Sequence, residues 1–153
     1  FTSFVKSMNA GKVGAVFFLN SNPAYDSAEA AKVKSGLEKV ATTVSFASSN
    51  DETSVLCNYI AASNHNYESW SDTQVSNSEI SFTQPVVQPL FGSRMYTETL
   101  MSLMGTTGSF YEYMQSFWAK NFFPKQSKFM TATDLWNKSL YLVYLTIYGV
   151  KSW

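Results

Sequence analysis

Two short polar turns hold the side chains with the most chemical potential. Asn20-Ser21-Asn22-Pro23-Ala24-Tyr25-Asp26 closes an apolar run, and Ser48-Ser49-Asn50-Asp51-Glu52-Thr53 closes a second run rich in β-branched and aromatic residues. Their hydroxyls, amides and carboxylates are hydrogen-bonding partners for a base edge, a ribose or an amide. If each run is a strand of an open α/β sheet, both turns lie beyond the carboxyl ends of the strands. Such sheets bind ligands there, and helix N-termini at that end favour anions. The same residue types also cap helices and close turns, and composition alone favours that plainer role. Neither turn has a G-x-G-x-x-G or P-loop pattern, so an ordinary NAD or ATP site lacks support.

The remaining candidates are weaker. His65 stands in Ser63-Asn64-His65-Asn66 with Ser63 and Ser69 nearby, but neighbours in a loop say little about triad geometry. Glu68 and Asp72 are spaced to share a face, yet nothing around them would drive their pKa values apart as an acid/base pair requires. Cys57 reads as a small buried residue on a short helix, and as the single cysteine it rules out an internal disulfide or a cysteine-based zinc or iron–sulfur site within the chain. Trp70, Trp118, Trp136 and Phe122-Phe123 suit a core or an interface better than a cofactor box.

The elements that would position these groups follow from periodicity. Phe4, Val5 and Met8 predict an opening helix that Gly11 ends in a left-handed conformation. Val13 to Leu19 reads as a strand buried on both faces. Ser27 to Val40 repeats Ala30, Val33, Leu37 and Val40 at helical spacing, with Asp26 and Glu29 as its cap. Thr42 to Ala47 is a second strand, Glu52 to Asn58 a short helix and Tyr59 to Ala62 a third strand, an order that builds a parallel sheet. Residues 63–92 read as a long surface excursion with one edge strand, Ile80 to Thr83, because Pro85 and Pro89 keep Val86-Val87-Gln88 out of a central strand. The last third is helical. Helices run from Thr97 to Met104 and from Ser109 to Phe123, the latter with a Ser109/Glu112 capping box and a Pro124 stop. Another is capped by Thr133-Asp134 and runs through Trp136 and Leu140, and Tyr141 to Tyr148 suits a strand as well as a helix. The expected fold is therefore a single three-layer, Rossmann-like α/β domain over 1–153, with a short, mostly parallel sheet flanked by helices and a helical C-terminal third.

Composition bounds the function. A chain of 153 residues suits one domain that buries roughly two-thirds of its unfolded surface. Lysine plus arginine and aspartate plus glutamate number 11 each, so the net charge shows no footprint for nucleic acid or an acidic membrane surface. Aromatics reach 16%, dense enough to expect contact with another domain or subunit. The longest uncharged apolar run, Leu140 to Val150, is shorter than the ~20 residues of a spanning helix, so direct membrane insertion is not expected. A start at Phe1 without a basic and apolar leader is expected of a piece of a longer polypeptide.

Read in order, the strand ending in Asn22-Pro23, the Asp51-Glu52-Thr53-Ser54 turn, Asn58-Tyr59-Ile60 and Glu68-Ser69-Trp70-Ser71-Asp72 resemble the molybdopterin oxidoreductase family. The similarity extends from about Lys12 to Gly105 and more weakly through Trp136-Asn137. Gln84-Pro85 and Gln88-Pro89-Leu90-Phe91 are most similar to the polysulfide-reductase-like branch. Within it they resemble the large iron–sulfur subunit of alternative complex III, a quinol:electron-acceptor oxidoreductase. The resemblance implies the second dinucleotide-binding-like domain of such a chain, with Asn20, Asn22 and Pro23 on one cofactor-facing turn and Ser49, Asp51, Glu52 and Thr53 on the other. It implies molybdopterin guanine dinucleotide as the cofactor, no metal held by this domain, and the other domains and subunits of a respiratory complex as partners on the periplasmic side of the bacterial inner membrane. Asn58 stands where the family has Asp, Ala61-Ala62 where it has Leu-Pro and Ser71 where it has Gly, and after Tyr141 the expected Asp-Gly pattern is lost. These departures favour a retained fold whose cofactor has been lost, a structural and assembly role. A working cofactor arm and a free-standing small-ligand module remain the alternatives.

Overall fold

The computed structural model describes residues 1–76 and 79–146. It is mixed α/β, with a short parallel three-stranded sheet flanked by helices and a helical C-terminal part, as the periodicity predicts. The chain divides into two compact units, Phe1–Asn64 with Phe91–Tyr96, and His65–Leu90 with Thr97–Trp153.

In the first unit, α1 (Thr2–Asn9) turns Val5 and Met8 inward, and Gly11 ends it at φ 68 as expected. Strand β1 (Ala15–Phe18) pairs in parallel with β2 (Thr42–Ser45), which pairs in parallel with β3 (Tyr59–Ile60). Val16 and Phe18 join Val5, Met8, Val33, Leu37 and Val40 in one core. The apolar run predicts a strand buried on both faces, but Ala15 and Phe17 are exposed. As an edge strand of the order β1-β2-β3, β1 buries only the side that meets this core.

Between β1 and β2 lie the single-turn α2 (Pro23–Asp26) and α3 (Ala30–Leu37). The cap expected of Asp26 and Glu29 is not made. Asp26 ends α2, and Glu29 occupies the α3 cap position without a side-chain cap bond, its carboxylate accepting instead from Lys32 Nζ at 3.1 Å while its own N–H donates to Ser27 Oγ at 3.1 Å. Asn9 ties α1 to α3, its amide donating to the carbonyls of Val5 at 3.0 Å and Lys32 at 2.8 Å while Oδ1 accepts from Ser35 Oγ at 3.0 Å. The expected helix over Glu52 to Asn58 is a single 3-10 turn, Ser54–Leu56. Asn58 then locks β2 to β3, its Oδ1 accepting from Thr43 N and Oγ1, both at 2.9 Å, and its N–H returning to Thr43 Oγ1 at 2.8 Å.

In the second unit, β5 (Glu79–Thr83) lies between β4 (Ser71–Ser76) and β6 (Tyr144–Thr146), antiparallel to both. The strand expected at Ile80 to Thr83 is therefore present but is the middle strand of its sheet, because Ile80 and Phe82 alternate into an apolar core. That core takes Met114 and Trp118 from α5 (Phe110–Asn121) and Leu135 and Trp136 from α6 (Ala132–Leu142), while α4 (Tyr96–Leu103) precedes them in the chain. Phe82 packs on Trp118 at 4.3 Å and edge-on to Trp136 at 5.2 Å between ring centroids, offsets that suit aromatic quadrupoles. Trp118 donates its indole N–H to Asp72 Oδ2 at 2.7 Å, so the most buried tryptophan keeps its polar atom satisfied. The Ser109/Glu112 capping box forms as predicted, whereas α6 is capped by Thr131 rather than Thr133, with Asp134 N donating to Thr131 Oγ1 at 3.0 Å. The strand reading of Tyr141 to Tyr148 holds for Tyr144–Thr146, and residues 147–148 lie outside the described residues.

Gly36 sets the spacing of α1 and α3. A Cβ there would meet Asn9 Nδ2 at 3.0 Å and Met8 Cβ at 3.1 Å. Alanine normally stabilises a helix by about 1 kcal/mol over glycine, but Met8 Cβ is fixed to backbone and cannot swing away. Gly36→Ala is expected to destabilise the chain by roughly 1–3 kcal/mol in urea titration; a more stable variant would show that α1 moves freely.

Candidate functional site

The loops after β1 and β2 meet through one side chain. Asn22 Oδ1 accepts from Thr53 Oγ1 at 2.7 Å and from Thr53 N at 3.1 Å, and its amide donates to Glu52 Oε2 at 2.7 Å. Thr53, fully buried, accepts in turn from Ala24 N at 3.0 Å, so the start of α2 hangs on the second loop. Asp51 Oδ1 accepts from the N–H groups of Thr53 at 3.1 Å and Ser54 at 2.6 Å, and Ser54 Oγ bonds back to Asp51 through its N–H at 2.8 Å and its carbonyl at 3.0 Å. The parallel register of β1 and β2 makes this possible by ending both strands at the same level.

Each predicted residue has a definite place. Asn22, Asp51, Glu52 and Thr53 come together in the clamp. Asn20 is exposed with φ 47, a left-handed turn conformation that asparagine tolerates. Pro23 is buried at the first turn of α2, where its missing N–H costs no hydrogen bond. Ser49 is exposed. The sequence reading did not single out Ser54 or Asn58 as site-building groups, although Asp followed three residues later by Ser is a recognisable turn signal.

The electrostatics follow from these bonds. The Asn22 amide, and then the backbone N–H of its own residue, hold the Glu52 carboxyl below the ordinary value of 4.5, with Lys34 adding a smaller pull against the opposing charge of Asp51. Partial burial pushes the Cys57 thiol up and so away from reactive thiolate; the residue is half-buried against the first core at the end of the 3-10 turn rather than fully buried on a helix as expected.

The other candidates separate. His65 caps the 3-10 turn Asn66–Glu68, its Nδ1 accepting from Tyr67 N at 3.2 Å, while Ser69 Oγ donates to the His65 carbonyl at 2.9 Å and not to the ring. A serine–histidine nucleophile is thus not assembled from Ser69. Glu68 accepts from His65 N and Leu90 N, both at 2.9 Å, which keeps its pKa low, whereas Asp72 serves Trp118. The two carboxylates have separate partners and do not form a dyad. Among the described residues no group of three His, Cys, Asp or Glu side chains is placed to hold a metal ion.

The fold has a counterpart among solved structures. The fold matches part of acetylene hydratase from Pelobacter acetylenicus. The match covers 95% of this chain and 20% of that one, with a TM-score of 0.64 and 18% sequence identity, so the likeness is one of fold and the chain spans about a fifth of that protein's length. Neither a protein-family profile nor a curated protein matches the sequence.

What the clamp can do chemically is limited by its own bonding. Both ends of the Asn22 amide and the hydroxyl and N–H of Thr53 are engaged within the protein, while Asn20, Ser21, Ser48, Ser49, Asn50 and Glu52 are exposed around them. Asn22→Ala is expected to cost about 1–3 kcal/mol, because the buried Thr53 hydroxyl loses its acceptor. Urea midpoints read this, and a neutral result would mean that the two loops hold together without the amide. The Glu52 contribution carries a defined sign: with its folded pKa depressed, it is fully present above the ordinary carboxylate value and lost as pH falls through the folded one. Stability measured from neutral to acid pH is expected to fall less in Glu52→Gln than in the parent chain; parallel curves would remove the Asn22–Glu52 bond from the account.

Proposed function

We propose that this chain is a domain of a molybdopterin-oxidoreductase-like polypeptide and that it works as a structural and assembly scaffold. The parent assembly in this reading is a quinol-oxidising electron-transfer complex resembling alternative complex III, on the periplasmic side of a bacterial inner membrane. Two independent lines support the family. One is the ordered set of short motifs from Asn22-Pro23 to Asp72. The other is the fold likeness to acetylene hydratase, itself of the molybdopterin oxidoreductase family. The quinol and respiratory parts of the reading rest on the motifs alone.

One observation carries the scaffold role: four of the seven residues expected to face a nucleotide, Asn22, Asp51, Glu52 and Thr53, are bonded to one another. Asn22 and Thr53 satisfy each other, and Pro23 is buried. A guanine dinucleotide arm fits this end of the fold only in part. The second loop offers carboxylate acceptors suited to the N–H edge of guanine, while in the first the Asn22 amide is already engaged and Asn20 and Ser21 stay exposed. When bound in such proteins, the pterin and its metal supply the redox chemistry; the residues of this chain would only position the nucleotide end.

The exposure of Asn20, Ser49 and Glu52 around the clamp, beyond the carboxyl ends of the strands, favours a second reading in which a guanine nucleotide arm is bound there. Calorimetric titration with guanosine diphosphate separates the two. The scaffold role predicts no saturable binding at millimolar nucleotide. Saturable binding lost in both Asp51→Ala and Glu52→Gln, with each variant folded by circular dichroism, would replace it with the cofactor role.

A further inference from the structure

The zero net charge of the chain hides two opposite stretches in the second unit. In the second unit, residues 65–90 and 97–112 carry Glu68, Asp72, Glu79, Glu98 and Glu112 with no lysine or arginine. Residues 113–146 reverse this, with Lys120, Lys125, Lys128 and Lys138 against Asp134 alone. All four lysines are exposed, and Asp134 is partly occupied by Thr131 Oγ1 at 2.7 Å.

Apolar groups lie among these charges. Met130 is 93% exposed and Tyr141 79%. Lys128 Nζ sits 5.6 Å from the Phe129 ring centre and Lys138 Nζ 5.0 Å from that of Tyr141. Phe129 and Lys138 line one open hollow of about 330 Å³ with Asp134 and Asn137, and through their ring contacts Lys128 and Tyr141 extend this patch, in which Asp134 is the one acid. The segment that presents Met130 is held by Gln126, whose Nε2 donates to the carbonyls of Phe123 at 3.3 Å and Phe129 at 3.0 Å while its Oε1 accepts from Phe129 N at 2.7 Å.

We propose that this lysine and aromatic patch, centred on Lys128, Met130, Lys138 and Tyr141, docks on the headgroup layer of an anionic phospholipid bilayer. The ammonium groups meet lipid phosphates, and Met130 and the Tyr141 ring enter the boundary beneath them, as amphipathic surfaces do at interfaces. Binding is peripheral, since no helix among the described residues is long and apolar enough to cross a membrane. Charge complementarity alone would also suit nucleic acid. The patch fits that partner less well, because it holds no arginine to pair with phosphates or stack on bases.

The test is co-sedimentation of the chain with vesicles of phosphatidylcholine containing one quarter phosphatidylglycerol, and with pure phosphatidylcholine vesicles, at low and high salt. Binding is expected to the anionic vesicles and to weaken with salt. Each lysine near the surface is worth about fivefold in partitioning, so Lys128→Gln with Lys138→Gln is expected to lower it by roughly twentyfold. Met130→Ser should weaken binding while leaving the salt dependence unchanged. Tryptophan fluorescence confirms that each variant is folded. Equal binding to both vesicle types, binding to neither, or an unaffected folded double-lysine variant would overturn the proposal. So would lysine-dependent binding of a single-stranded oligonucleotide without binding of vesicles.

Discussion

The first unit depends on a single amide accepting two hydrogen bonds from a buried threonine. Asn22 leaves β1 and Thr53 leaves β2, and nothing in the local preferences of either loop requires them to meet. The parallel register ends both strands at one level, and the Thr53 hydroxyl and N–H then need an acceptor where water cannot reach. Asn22 supplies it, and Thr53 passes the restraint to α2 through Ala24 N. Asp51 and Ser54 close the second loop from the other side. At the far end of the same strand pair Asn58 and Thr43 make a comparable reciprocal set that fixes β3. Polar side chains, more than apolar area, thus hold the ends of a very short sheet.

That economy has a functional consequence. The carboxyl end of a parallel sheet is where this type of fold places a ligand, because turns there expose donors and acceptors. Here the central groups of that end are used internally, and only the rim faces outward. The hydrogen bonds at that end stabilise the loops themselves.

The second unit is built on different physics. Its core is a set of offset aromatic rings from β5, α5 and α6, with Trp118 tied to Asp72 so that a large buried indole leaves no unsatisfied donor. All its acidic residues but Asp134 precede its basic ones along the chain, and Lys128 and Lys138 lie at the Phe129 and Tyr141 rings near exposed Met130 in sequence. A neutral total and a divided surface are compatible because net charge is a sum, while a partner senses only the field near its own contact.

Much of the architecture was legible in the sequence. The apolar run after Gly11, the spacing of Val33, Leu37 and Val40, and the Ser109/Glu112 pair announce their elements through local periodicity and capping, which need no knowledge of distant residues. The two polar loops were also visible as candidates by composition. Tertiary structure alone decided what those residues do. Asn22 meets Thr53 across 31 positions of chain, and Trp118 meets Asp72 across 46, contacts that carry no periodic signal. Likewise β1 reads as a strand covered on both faces, and Ile80 to Thr83 as an edge, because an apolar pattern records which side chains are apolar but not which strands lie beside them. Pairing order and the partners of buried polar groups are long-range choices, fixed only when the chain closes on itself.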